Sequence, residues 1–425
     1  MNKHIKWVKN RIPKTDCSEY QALMSQEEIK KVREFHQSFP QYKVTPLHAL
    51  DKLASELGLG SISIKDESYR FGLNAFKVLG GSYAMTRFIA KTVGRDVSEL
   101  GYEELTSPET KEALGQYTFF TATDGNHGRG VAWAANQIGQ KSVVYMPKGS
   151  SETRLNNILK ENARASITDM NYDDAVRKAA AEAAETPNGV IIQDTAWKDY
   201  EEIPSWVMQG YGTMALEALE QLASNASDDA DAADSADAAH GSERPTHVFV
   251  QAGVGSLAGA VVGYVVNLFP ENPPTIIVVE AGAAACLYES AVQADGRTVD
   301  VGGDLETIMA GLACGEANII SWEILKNSVD FFVALPDYVA ALGMRVLGAP
   351  LKGDPRVISG ESGAATLGLL YEMLSNDDYT DFRTAVGLDE DSRVLLFSTE
   401  GDTDPDVYRS ICWEGAYPAR ENHDS

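Results

Sequence analysis

The order of elements along the chain predicts an α/β fold: two open, twisted, mostly parallel sheets flanked by helices, a smaller domain inserted into a larger one. Three observations predict it. Short apolar runs of strand character alternate with helical segments, the pattern of parallel βαβ units. A second series of the same kind follows the first. At 425 residues the chain is too long for one small core, so two domains are expected. The expected boundaries are residues 1–88 with 205–425 for the larger domain and 89–204 for the smaller.

Residues 26–60 read as helix, loop and helix, with a turn at Thr45-Pro46-Leu47. Residues 61–65 alternate in character, as a strand does. Residues 77–89 read as helix and 108–114 as a shorter one. Residues 117–122 form a strand, and the glycines after it open a helix over 131–138. A strand at 141–146 stops at Pro147. Helix 153–162, strand 165–168, helix 173–185 and strand 190–193 complete the first series. The second comprises helix 211–222, strand 246–251, helix 257–268 and strand 275–280. Residues 394–398 are a late strand running into a loop. Residues 224–245, SNASDDADAADSADAAHGSERP, are almost all Ala, Asp and Ser and cannot bury a core. They are expected to form a disordered acidic surface loop that serves solubility or, alternatively, a partner.

Composition is globular, 44% hydrophobic and 23% charged. The net charge of −26, from 36 basic and 62 acidic residues, argues against nucleic-acid partners and anionic membranes. A cationic small substrate would be mildly attracted. No apolar run approaches the length that spans a bilayer. The N-terminus is basic without an apolar h-region, so no signal peptide is expected and a cytoplasmic location is. None of Cys17, Cys286, Cys314 and Cys412 sits in a CxxC pair. Cys286 and Cys314 would pair only if the fold brings them together. The histidines lack ligand spacing, so no metal is expected.

Five segments carry chemistry. In Asn74-Ala75-Phe76-Lys77-Val78-Leu79-Gly80-Gly81, one lysine stands where a chain entering a helix would bury it. Burial disfavours the ammonium, and a neutral amine is what a Schiff base with an aldehyde cofactor requires. The plain alternative is a surface lysine opening an amphipathic helix. In Thr123-Asp124-Gly125-Asn126-His127-Gly128, backbone amides at a helix start suit an anion such as a substrate carboxylate. Asn126 offers an amide for a phenolic oxygen, and Asp124 a carboxylate beside it. Helix capping is the alternative. His127 is expected to be structural. Gln251-Ala252-Gly253-Val254-Gly255-Ser256-Leu257 follows a strand and opens a helix, so it can cradle a phosphate. It also satisfies G-x-G-x-x-A, and Glu280 ends the next strand, which keeps a nicotinamide oxidoreductase in contention. Asp194 lies just past a strand, where ligands of parallel sheets bind. Ser398 and Thr399, in Phe397-Ser398-Thr399-Glu400-Gly401, offer hydroxyls to a ring nitrogen.

In this order, NAFKVLGG, DGNHGRGVA, QAGVGSLAG and STEGD resemble the fold type II pyridoxal-phosphate enzymes, the superfamily of tryptophan synthase β and threonine dehydratase. Residues 42–83, with TDGNHGRGVAW, MPKGSSETR, QDTAW and STEGDTDPDVY, are similar to the diaminopropionate ammonia-lyase family over most of residues 30–415. The resemblance implies pyridoxal 5'-phosphate held by Lys77, with Asn126 on its phenolic oxygen. It implies Gly253, Val254, Gly255, Ser256 and Leu257 on the phosphate, and Ser398 or Thr399 at the pyridine nitrogen. It implies α,β-elimination of D- and L-2,3-diaminopropionate to pyruvate and two ammonia. Asp124 and Asp194 would manage the protons of the leaving amine, with Lys77 and Asp124 as bases on opposite faces. A homodimer is implied, and a monovalent cation is left open. The alternatives are a serine/threonine dehydratase on the same fold and, in another class, an amino-acid-binding regulatory or storage protein. Asp124, where the dehydratases usually carry a small residue, favours the ammonia-lyase.

Overall fold

A computed structural model describes residues 4–228 and 244–418, with side chains omitted at 225–228. Eleven strands fall into two sheets among these residues. β1 (Lys6–Lys9), β2 (Leu47–Ala49), β3 (Ser61–Asp66), β8 (His247–Gln251), β9 (Thr275–Ala281), β10 (Phe331–Leu335) and β11 (Arg393–Ser398) form the larger, in the order β1-β10-β9-β8-β11-β3-β2. Only the edge strands β1 and β2 run antiparallel to their neighbours. β4 (Thr118–Ala122), β5 (Lys141–Met146), β6 (Arg164–Ile167) and β7 (Gly189–Ile191) form the smaller, all parallel, in the order β6-β5-β4-β7.

The central strands of the larger sheet are buried on both faces, which is why they read as continuous apolar runs. Alternate residues feed two cores, as a two-residue side-chain period demands. Val248, Val250, Ile276, Val278 and Phe397 face one core. Phe249, Ile277, Val279, Val333 and Leu396 face the other. In the smaller sheet Phe120, Val143 and Tyr145 pack on the helix Tyr172–Glu185, and Val144 and Met146 on the opposite side.

Several elements differ from the sequence reading. The helix after β4 begins at Asn126 and ends at Gln137, five residues earlier than the 131 expected. Its glycines serve close packing inside the helix. A Cβ at Gly128 would lie 2.4 Å from Thr123 Cγ2, and one at Gly130 2.8 Å from Val78 Cα. The second contact sets this helix directly against the start of the helix Val78–Val93. The helix Glu202–Asp228 covers residues 224–228, where the acidic loop was expected to start. Within that expected loop, residues 229–243 lie outside the described residues. β1 and β10 were not anticipated. All four cysteines are unpaired. No helix among the described residues is long and apolar enough to cross a membrane.

Candidate active site

The C-terminal ends of β4, β7, β8 and β11 are where ligands of open parallel sheets bind. Their loops meet around one cavity, lined by Lys77, Asn126, Asp194, Gly253–Leu257 and Thr399 among others. Lys77 is placed by a backbone pairing: Phe76 N–H donates to Thr399 O at 3.1 Å, and Gly401 N–H to Asn74 O at 3.1 Å. The segment carrying the lysine is thereby fastened to the segment after β11.

The Lys77 ammonium donates to Asp194 Oδ2 at 2.9 Å and lies 3.9 Å from Asp124 Oδ1. Burial, the largest single influence, opposes its charge, but Asp194 and Asp124 together outweigh it and hold its pKa well above the ordinary lysine value. This corrects the sequence expectation, in which burial alone set the direction. Burial would likewise raise Asp194, yet the Lys77 ammonium beside it keeps its carboxyl well below the usual range. The other Asp194 oxygen accepts from Tyr172 OH at 2.9 Å and Gln193 Nε2 at 3.1 Å. His127 Nε2 meets Ile192 O at 2.9 Å and must donate there, since a carbonyl only accepts. Its bare Nδ1 faces Asp194 Oδ2 at 3.9 Å, and burial lowers its pKa. Asp124 Oδ2, His127 Nδ1 and the Tyr211 hydroxyl are buried with no hydrogen-bond partner among the described residues.

The glycine turn after β8 leads into the helix Ser256–Leu268. The amides of Gly253 to Leu257 donate to no acceptor among the described residues. Side chains are excluded from this turn. A Cβ on Gly253 would sit 3.0 Å from Gly311 O, and Gly255 has φ +100° with Ser321 Oγ 2.7 Å from where a Cβ would be. Five free amides at a helix start, opposite a lysine amine, fit a phosphorylated aldehyde such as pyridoxal phosphate. The dinucleotide alternative loses its acid. Glu280 accepts from Leu287 N–H at 2.9 Å and Tyr288 N–H at 2.6 Å, capping the helix Cys286–Gln293. Burial pushes its carboxyl up to about 8.

The structure thus gathers Lys77, Asn126, Asp194, the turn 253–257 and Thr399 around one cavity, with Asp124 beside the lysine. Ser398 does not line it; its hydroxyl donates to Ser359 Oγ at 2.8 Å. Thr399 Oγ1 accepts from Gln251 Nε2 at 2.9 Å. Sequence reasoning missed Tyr172, Tyr211, Gln251 and Glu400. Glu400 takes a hydrogen bond from Asn126 Nδ2 and another from Ser362 N–H at 3.2 Å, so it orients the asparagine. Its place directly after Thr399 was the available signal.

Residues 39–381 match the family described as pyridoxal-phosphate dependent enzyme. The chain is 54% identical to the diaminopropionate ammonia-lyase of Salmonella typhimurium over 91% of its own length and 92% of the relative's. The crystal structure of diaminopropionate ammonia lyase from Escherichia coli in complex with D-serine is similar at a TM-score of 0.88 and 45% identity, covering 98% of this chain and 99% of that one. The same enzyme in complex with an aminoacrylate-PLP azomethine reaction intermediate gives 0.85 and 44%, with the same coverage.

Proposed function

Because the chain belongs to the pyridoxal-phosphate dependent enzymes, and among them to the diaminopropionate ammonia-lyases, we propose that it eliminates both isomers of 2,3-diaminopropionate to pyruvate and two ammonia. The observation that carries this reading is one amine, Lys77, held between two carboxylates and sharing a cavity with the unpartnered amides of residues 253–257.

In this reading Lys77 holds the cofactor, the five amides hold its phosphate, Asn126 meets its phenolic oxygen and Thr399 faces its ring nitrogen. Pyridoxal phosphate, when bound, supplies an electron sink for the carbanion left at the substrate's α-carbon. Lys77 takes the α-proton of the L isomer and Asp124 that of the D isomer. The electron pair of the broken C–H bond forms the Cα=Cβ bond, and the Cβ–N bond breaks with its pair remaining on nitrogen. That nitrogen leaves as ammonia, and water hydrolyses the released enamine to pyruvate and the second ammonia. Asp124 Oδ2, which has no partner, is the acceptor for the β-ammonium. Asp194, already filled by Lys77, Tyr172 and Gln193, holds the lysine in place. The same reading takes the protein to be a cytoplasmic homodimer, which light scattering tests for the assembly.

Turnover of each isomer, read as pyruvate against ammonia, tests the reaction. Asp124→Asn should lower kcat on the D isomer by roughly 100-fold, the scale of one general base, and on the L isomer far less. Full D-isomer activity in that variant contradicts the role given to Asp124.

A further inference from the structure

Outside the cofactor cavity, and bordered by Asp124, lies a larger one whose walls carry Asp169, Asp304, Asp337, Glu361 and Asp404. Its basic side chains are Lys148, which is exposed, and Arg154, which is 8% exposed. Arg154 belongs to the helix Glu152–Leu159, the end of the MPKGSSETR segment to which the reaction above gives no task. Its stem lies on the turn that carries Asn126: a Cβ at Gly125 would be 3.1 Å from Arg154 Cδ. A guanidinium has five N–H donors. Here the one protein hydrogen bond is a long one, Nη2 to Glu361 Oε2 at 3.4 Å, and the buried Nε has no acceptor among the described residues. The amides of Asn126 and His127 next to it also donate to nothing described.

A buried cation left this open, among carboxylates, is built for an anion that arrives from outside. The sequence already offers the Asn126 and His127 amides to a substrate carboxylate; we propose that Arg154 adds a charged hydrogen bond to that α-carboxylate, and that Glu361 is its resting partner. The assignment rests on the lyase reading. The acidic walls draw in the diamine, and Arg154 is the buried positive charge that admits its carboxylate and orients the β-ammonium towards Asp124.

The test uses the holoenzyme with 2,3-diaminopropionate and with its α-carboxamide, which lacks the negative charge. Arg154→Gln should raise KM for the acid roughly 10- to 100-fold, the worth of a charged hydrogen bond, and leave KM for the amide within about twofold. Arg154→Lys should recover part of the loss. Calorimetric binding of L-alanine, a carboxylate without a leaving group, should weaken in step. Equal shifts for acid and amide, or none for either, overturn the assignment while leaving the lyase reading intact. Wild-type protein inactive on both compounds overturns the lyase reading instead. If Arg154→Gln does not fold, Glu361→Gln decides: a lower KM for the acid supports the assignment, and an unchanged or higher one overturns it.

Discussion

Lys65 and Lys77 are both lysines enclosed with carboxylates, and their surroundings differ in completeness. All three Lys65 donors are used, on Thr45 O at 2.8 Å, Gln221 Oε1 at 2.6 Å and Glu217 Oε2 at 2.9 Å. Arg70 joins that cluster through Glu67 at 2.8 Å and Glu217 at 2.7 Å. No polar side-chain atom of Lys65, Glu67, Arg70 or Glu217 is left buried without a partner. Around Lys77, by contrast, Asp124 Oδ2, His127 Nδ1 and the Tyr211 hydroxyl stand open. The closed cluster ties β3 and the short helical turn after it to the helix Glu202–Asp228. The open one waits for groups the protein does not supply. Buried charge alone therefore does not mark a reactive site; unfinished hydrogen bonding does.

Changes at the two clusters should separate cleanly. Lys77→Ala should lower kcat by at least about 1,000-fold, since a covalent hold and a proton-transfer group are lost together. Steady-state pyruvate release measures it. Glu217→Leu should leave two buried cations short of an anion and cost about 3–5 kcal/mol of stability, read by urea unfolding, with kcat of the folded protein unchanged.

The pH dependence sharpens the contrast. Burial would raise the Glu217 carboxyl, but Arg70 and Lys65 hold it down at about 2, below its ordinary 4.5. The unfolded chain then binds the proton first. The stabilisation is present above the ordinary value and drains away as pH falls from there towards the depressed one. Acid titrations of the wild type and Glu217→Gln should diverge above that window and converge through it. The smallest effect belongs to the open site. Asp124→Asn should cost less stability in urea unfolding than Glu217→Leu, since the Lys77 ammonium loses a carboxylate at 3.9 Å but keeps its 2.9 Å bond to Asp194.

Much of the cavity was legible because strand ends followed by glycine turns leave local marks. Gly253 and Gly255 are glycines for want of space, and Asp124 and Asp194 stand two and three residues past the ends of strands. Tyr172 and Tyr211 left no such mark, since each sits in a helix with nothing in its neighbours to point it at Asp194 or Lys77. The charge state of Lys77 was misread for the same reason: the carboxylates that reverse the effect of burial come from two other loops. The exposed edge strand β1 is too short and polar to announce itself, and β10 was recognisable only as one more apolar run.

The central claim is that the lysine in the unfinished cluster, and not the one in the finished cluster, carries the cofactor. Borohydride reduction of the protein loaded with pyridoxal phosphate, followed by peptide mapping, reads this directly. The account predicts one stable adduct, on the peptide containing Lys77. An adduct on Lys65 or any other lysine in its place, or none at all, would contradict it.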